Sequence, residues 1–210
     1  DNDADFDLIL GFYYDPAVTF YRNTGTANSP SLTNEGDPFN ISVVSGSDSS
    51  PTLGDITGDG VIDAIVGFDN QGGLRFFEGT SNAPGFVERT GILNPFNGLA
   101  FGTAGESRFA KPDLVDLDFD GDLDVAIGIH GYTAETYDGA ILYLENDGNN
   151  NFNQLTGSLN PFDGILAGTL TAEKGDSEPT FVDIDVDGDL DLFVGNADGQ
   201  VQYFENQNQA

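Results

Sequence analysis

Asp116-Leu-Asp-Phe-Asp-Gly-Asp-Leu-Asp124, running straight into Val125-Ala126-Ile127-Gly128, decides the fold. Five acidic side chains fall within nine residues, and an apolar run follows at once. A core cannot hold that charge bare. A disordered acidic tail would not set a glycine at the sixth position and an apolar run directly behind it. A cation resolves the conflict. Asp116, Asp118, Asp120 and Asp124 offer side-chain oxygens at positions 1, 3, 5 and 9, and the carbonyl of Asp122 adds position 7. Gly121 permits the turn that folds such a cage round a hard divalent ion.

The stretch recurs. Asp183-Ile-Asp-Val-Asp-Gly-Asp-Leu-Asp191 repeats it, with Asp183, Asp185, Asp187, Asp189 and Asp191 in the same places and Gly195 ending the strand behind. A weaker copy, Asp55-Ile-Thr-Gly-Asp-Gly-Val-Ile-Asp63, keeps Asp55, Asp59 and Asp63, puts the Thr57 hydroxyl at position 3 and leaves Val61 to contribute its carbonyl at position 7. The chain opens inside a fourth, partial copy, in which Asp1, Asp3, Asp5 and Asp7 align with positions 3, 5, 7 and 9. Ala4 stands there in place of the glycine, and no residue fills position 1.

A 210-residue chain with 17 Phe and 7 Tyr has apolar material for a sizeable all-β core. The 28 glycines and the absence of a sustained 3.6-residue apolar period argue against helices. The formal charge of −30, from 36 acidic against 6 basic residues, excludes nucleic acid as a partner, because phosphate neutralisation needs Lys and Arg. Three loops holding one divalent ion each would remove about six units of that charge. No Cys is present, so there is no disulfide framework. No apolar stretch reaches membrane-spanning length.

Each loop sits in a longer unit. A Pro-x-x-x-Asp strand precedes it, as in Pro112–Asp116 and Pro179–Asp183. An apolar strand to Gly follows, then a hairpin and an aromatic strand such as Ala140–Asn146 or Val201–Asn206. A linker with Asn/Asp-Pro-Phe closes the unit, at Asn94–Gly98 and Asn160–Gly164. In the first unit, residues 6–11 and 17–22 read as a hairpin, and a short third strand is expected around Pro38 to Val44. A period of about 60 residues with four short strands is that of a propeller blade. The expectation is a single all-β domain over 1–210, a propeller-type array of four antiparallel blades over 1–49, 50–110, 111–176 and 177–210. The first blade lacks its innermost strand and the last its outermost. Either a closed ring has four blades with two of them short, or the chain is part of a larger ring, or strands come from a neighbouring copy. In the last two cases unpaired strand edges favour head-to-tail association.

The loops are not EF-hands, which require a Glu at position 12; Val66, Ile127 and Val194 stand there. The pattern Pro-x-x-x-Asp-x-Asp-x-Asp-Gly-Asp-Leu-Asp, an apolar run to Gly and an aromatic strand ending in Glu-Asn resembles the FG-GAP/VCBS repeat of integrin-α-like β-propellers. Pro112–Asn146 and Pro179–Asn206 carry it nearly in full. The Asn-Pro-Phe-Asp/Asn-Gly insert is similar to that of bacterial, notably cyanobacterial-type, members. The resemblance implies calcium in a hairpin loop of each blade, with three sites and a fourth partial one at the N-terminus. It also implies a secreted or surface-bound, calcium-stabilised module of adhesion, matrix or filament assembly whose partners are other copies or matrix components.

A lectin-like propeller that binds glycans is the alternative, with the third-strand aromatics Phe20, Tyr21, Phe76, Phe77, Tyr143, Tyr203 and Phe204 as candidate sugar platforms. Their competing role is packing between blades. An accessory domain of a secreted enzyme is the third reading. No nucleophile with a base is evident, and His130, the one histidine, lies on a glycine-rich hairpin without partners for catalysis, so the chain is expected not to be an enzyme.

Overall fold

A computed structural model describes residues 5–13, 15–42, 48–68, 73–81, 85–99, 101, 108–131, 139–165, 167 and 176–207. They form four antiparallel sheets, each a simple meander. Sheet I comprises β1 (Leu8–Phe12), β2 (Asp15–Asn23) and β3 (Leu32–Gly36). Sheet II runs β4 (Ser49–Gly54), β5 (Asp63–Phe68), β6 (Gly73–Gly79) and β7 (Phe86–Arg89). Sheet III repeats it with β8 (Arg108–Val115), β9 (Asp124–Gly131), β10 (Ile141–Asn146) and β11 (Phe152–Leu155). Sheet IV has β12 (Ser177–Val182), β13 (Asp191–Asn196) and β14 (Val201–Phe204). The all-β class and the three-four-four-three strand pattern therefore match the expectation. The sheets stack in chain order, I on II, II on III and III on IV, and the described residues close into neither a barrel nor a ring.

The apolar strands lack polar alternation because both their faces are covered. In β5, Ala64 and Val66 join the cluster between sheets I and II with Val18, Ile41 and Phe77, while Ile65 points the other way. Ile65, Phe76, Val125, Ile127, Ile129 and Leu144 fill the space between sheets II and III. Ala126, Tyr143, Leu192 and Val194 fill that between III and IV. Adjacent residues thus serve successive interfaces, as Phe76 and Phe77 do. Each such large side chain stabilises the stack by about 1.5–3 kcal/mol.

The Asn/Asp-Pro-Phe linkers plug these interfaces. The side-chain Oδ1 of Asn94 accepts the N–H of Phe96, and that of Asn160 the N–H of Phe162, both at 2.9 Å. These turns aim Phe96 between Phe76 of sheet II and Phe152 of sheet III, and Phe162 between Tyr143 of sheet III and Phe181 of sheet IV. Phe39 does the same between Phe20 and Phe86.

This corrects the expected third strand of sheet I. Pro38–Ser42 is a turn, in which Asp37 accepts the N–H groups of Ile41 and Ser42 and Phe39 is turned into the core. The pairing strand lies upstream, at Leu32–Gly36, while Val43 and Val44 fall outside the described residues.

Candidate metal-binding loops

The loop between the first two strands of sheets II, III and IV has one construction. The position-1 carboxylate reaches across it: Asp55 accepts the N–H groups of Asp59 (3.0 Å) and Gly60 (2.8 Å), Asp116 that of Gly121 (3.2 Å), and Asp183 those of Asp187 (3.1 Å) and Gly188 (3.2 Å). Position 6 takes the expected left-handed turn, with φ of 85° at Gly60, 97° at Gly121 and 100° at Gly188. Position 4 is left-handed as well, at Gly58, Phe119 and Val186, with φ of 70°, 60° and 65°. A β-branched residue in that region is strained, and Val186 is 84 % exposed, so no packing compensates it. Position 5 then accepts the N–H of position 7, as Asp59 does from Val61, Asp120 from Asp122 and Asp187 from Asp189.

Position 9 does a different job. Asp63, wholly buried, accepts the N–H groups of Ile56 and Thr57 on Oδ2 and that of Gly79 on Oδ1. Asp124 accepts from Leu117 and the Tyr143 hydroxyl on Oδ2 and from Asn146 on Oδ1. Asp191 accepts from Ile184 and Asn206, and in sheet I Asp7 accepts from Asn23. All four copies thus clasp the start of the apolar strand to the end of the aromatic strand. Burial pushes the Asp63 and Asp124 carboxyls up despite these bonds, and burial with Asp124 beside it pushes the Tyr143 hydroxyl up. Each carboxylate oxygen has two lone pairs, so the clasp leaves capacity for a further ligand without pointing to one. The recurring Asn at the end of the aromatic strand was the sequence signal for this clasp.

Positions 1, 3 and 5 converge. The carboxylates of Asp116, Asp118 and Asp120, and those of Asp183, Asp185 and Asp187, each offer oxygens lying within 4.8 Å of one another. Among the described residues, Asp116 Oδ1 is buried with no hydrogen-bond partner, and so is the Thr57 hydroxyl in the second loop. Asp189 is 1 % exposed, yet neither of its carboxylate oxygens has a donor. Burial and the neighbouring Asp187 and Asp191 push its carboxyl up, and burial followed by Asp187 and Asp191 does the same for Asp185.

Buried carboxylate oxygens without a donor are costly, and a set of hard oxygens spaced this closely matches what a calcium ion takes. The residues therefore fit a divalent cation. Of the remaining expected ligands, the Asp122 side chain lies over Gly148 and that of Val61 over Gly79. Asp5 makes interactions of its own, and Asp1 and Asp3 fall outside the described residues.

Burial removes Phe20, Phe76, Phe77 and Tyr143 from any sugar-facing surface, while Tyr203 remains 46 % exposed on the free face of sheet IV. The His130 side chain lies outside the described residues.

Fold and loops define an all-β protein of four stacked antiparallel sheets with an acidic loop at the first hairpin of sheets II, III and IV. No known protein family, curated protein or solved structure matches the chain. No helix among the described residues is long and apolar enough to cross a membrane.

Proposed function

We propose that the chain is a calcium-stabilised, propeller-type repeat module of the FG-GAP/VCBS kind, extracellular or on a cell surface, that serves adhesion, matrix or filament assembly rather than catalysis. The observation that carries the calcium reading is the convergence of Asp116, Asp118 and Asp120, and of Asp183, Asp185 and Asp187, on loops whose buried oxygens lack donors. Asp55, Thr57 and Asp59 would form a weaker third site. Bound calcium neutralises carboxylates that otherwise repel one another and holds the strained position-4 backbone. Its role is structural, because each cage is supplied by the chain's own oxygens, whereas catalytic metals keep an open position. Stacked blades of a repeat protein present extended surfaces to partners, which suits assembly.

The test is isothermal titration of the chelator-treated protein with calcium, paired with melting curves. Saturable binding near two to three ions per chain and a higher melting temperature in calcium are expected, since a ligand of the native state stabilises it by mass action. Melting curves superimposed in calcium and in EDTA would remove the reading. Asp118→Ala with Asp185→Ala should lose most of the calcium-dependent shift.

A further inference from the structure

Each sheet carries a socket on its apolar strand (β1, β5, β9 and β13), and among the described residues three of the four are filled by the same kind of segment. The sockets centre on Gly11, Gly67, Gly128 and Gly195. A Cβ built on Gly11 would lie 1.9 Å from the Ser49 carbonyl oxygen and 2.8 Å from the Pro51 ring. One on Gly67 would lie 2.0 Å from the Ala110 carbonyl and 2.8 Å from Pro112, and one on Gly128 2.1 Å from the Ser177 carbonyl and 2.7 Å from Pro179. The occupant is thus always the first strand of the following sheet, with a small residue two places before a proline. Proline suits it because this strand pairs on one side only, so the missing N–H is not needed for a ladder.

Where the small residue is serine, it also stitches two strands together. Ser49 Oγ accepts the N–H of Phe12 and donates to the Ala17 carbonyl, and Ser177 Oγ accepts the N–H of Ile129 and donates to the Ala140 carbonyl.

Among the described residues the fourth socket is open: none from another sheet lies within 4 Å of a Cβ on Gly195, and the nearest atoms belong to Glu178 on the adjoining strand at 3.9 Å. The backbone pair that a serine would bridge is present, with the Asn196 N–H donating to the Gln200 carbonyl. Apolar side chains flank it on the same face. Phe193 stacks on Tyr203 at 4.9 Å between centroids, and Val201 is 70 % exposed. A groove of about 390 Å³ runs past Pro51, Pro112 and Pro179 and ends at Phe193, Gly195 and Val201.

We infer that this face of sheet IV is a docking socket for an extended Ser/Ala-x-Pro segment presented by a partner polypeptide, seated over Gly195 as Ser177-Glu178-Pro179 is seated over Gly128. The inference rests on the repeated packing of the described sheets and not on calcium. A second copy does not supply the motif directly, because its own Ser49-Ser50-Pro51, Ala110-Lys111-Pro112 and Ser177-Glu178-Pro179 already fill the sockets at Gly11, Gly67 and Gly128.

The experiment titrates the full-length, ¹⁵N-labelled chain with a synthetic peptide of the chain's own Asp176–Ile184 sequence and follows amide shifts. Saturable shifts at Gly195, Asn196 and Val201 are expected, and a peptide carrying Pro179→Ala should bind about tenfold more weakly. Gly195→Val should abolish binding without lowering Tm, because Gly195 has no positive φ and space lies above it. Absent or non-saturable shifts overturn the proposal, as does undiminished binding by the Gly195→Val variant. Sedimentation of the chain alone supplies the remaining arm. Self-association that Gly195→Val abolishes would assign the face to a second copy and overturn the partner segment. Calcium titration is scored separately, so failure here leaves the calcium reading untouched.

Discussion

Asp63→Ala separates the two kinds of aspartate in these loops. Asp63 is wholly buried and accepts three backbone N–H groups, from Ile56 and Thr57 at 3.0 Å and from Gly79 at 2.8 Å. Alanine leaves three donors without an acceptor, at about 1–3 kcal/mol each. Removing the carboxylate also relieves its own burial, which is what pushes its carboxyl up, so the net cost falls near the bottom of the summed range, about 3 kcal/mol. For a chain of this size that is a fall in Tm of about 6–12 °C. The assay is thermal unfolding followed by circular dichroism in excess EDTA, with Asp59→Ala alongside. Asp59 is exposed and accepts only the N–H of Val61, so its loss should change Tm in EDTA by less than about 2 °C. In calcium the gap between the two should narrow, because Asp59→Ala then forfeits part of the proposed metal stabilisation. If Asp63→Ala melts with the parent in EDTA, or if Asp59→Ala falls as far, the clasp assigned to position 9 is wrong.

Gly128→Ala should lower Tm, since its Cβ would stand 2.1 Å from the Ser177 carbonyl and sheet IV must shift; overpacking of this kind costs about 1–3 kcal/mol. Calorimetry of Gly128→Ala beside Gly195→Ala checks it, and equal effects would refute the stacking geometry. Asp113→Asn reports on pH. Burial pushes the Asp113 carboxyl above its ordinary 3.8, with the amides of Leu114 and Phe181 only partly opposing. The folded state then binds more protons than the unfolded state between 3.8 and the raised value, so stability falls as pH rises through that window. Asparagine should therefore be more stabilising, relative to the parent, at pH 7 than at pH 3, as read from denaturant midpoints at both. A constant difference across that range would contradict the assignment.

The parts of this molecule that were legible in the sequence are those with a strong periodic or steric signature. Glycine at position 6 announced a left-handed turn, and Val66, Ile127 and Val194 announced strands rather than EF-hand helices. The doubly covered β5 and β9, and β13 with one face covered, showed as apolar runs ending in Gly67, Gly128 and Gly195. Where that signature is weak, sequence and structure part. The outer strands Leu32–Gly36, Phe86–Arg89 and Phe152–Leu155 are short, polar edges. Their polar side chains suit an exposed edge but erase the alternation that marks a strand. The apolar Pro38-Phe39 and Val43-Val44 therefore drew the third strand of sheet I away from its true place.

The same limit applies to the acidic loops, where five aspartates looked alike because sequence spacing records reach and not direction. In three dimensions Asp116, Asp118 and Asp120 face one another, whereas Asp124 turns inward to Leu117, Tyr143 and Asn146. The division has a physical logic. A loop that must hold repelling carboxylates a few ångströms apart needs an anchor that does not depend on the ion, and a buried carboxylate bonded to backbone donors is such an anchor. Asp7 keeps that bond to Asn23 although Ala4 stands where the other three loops carry their position-6 glycine. The clasp thus persists where the loop sequence departs from the repeat, as expected if position 9 serves the sheet first and the cation second.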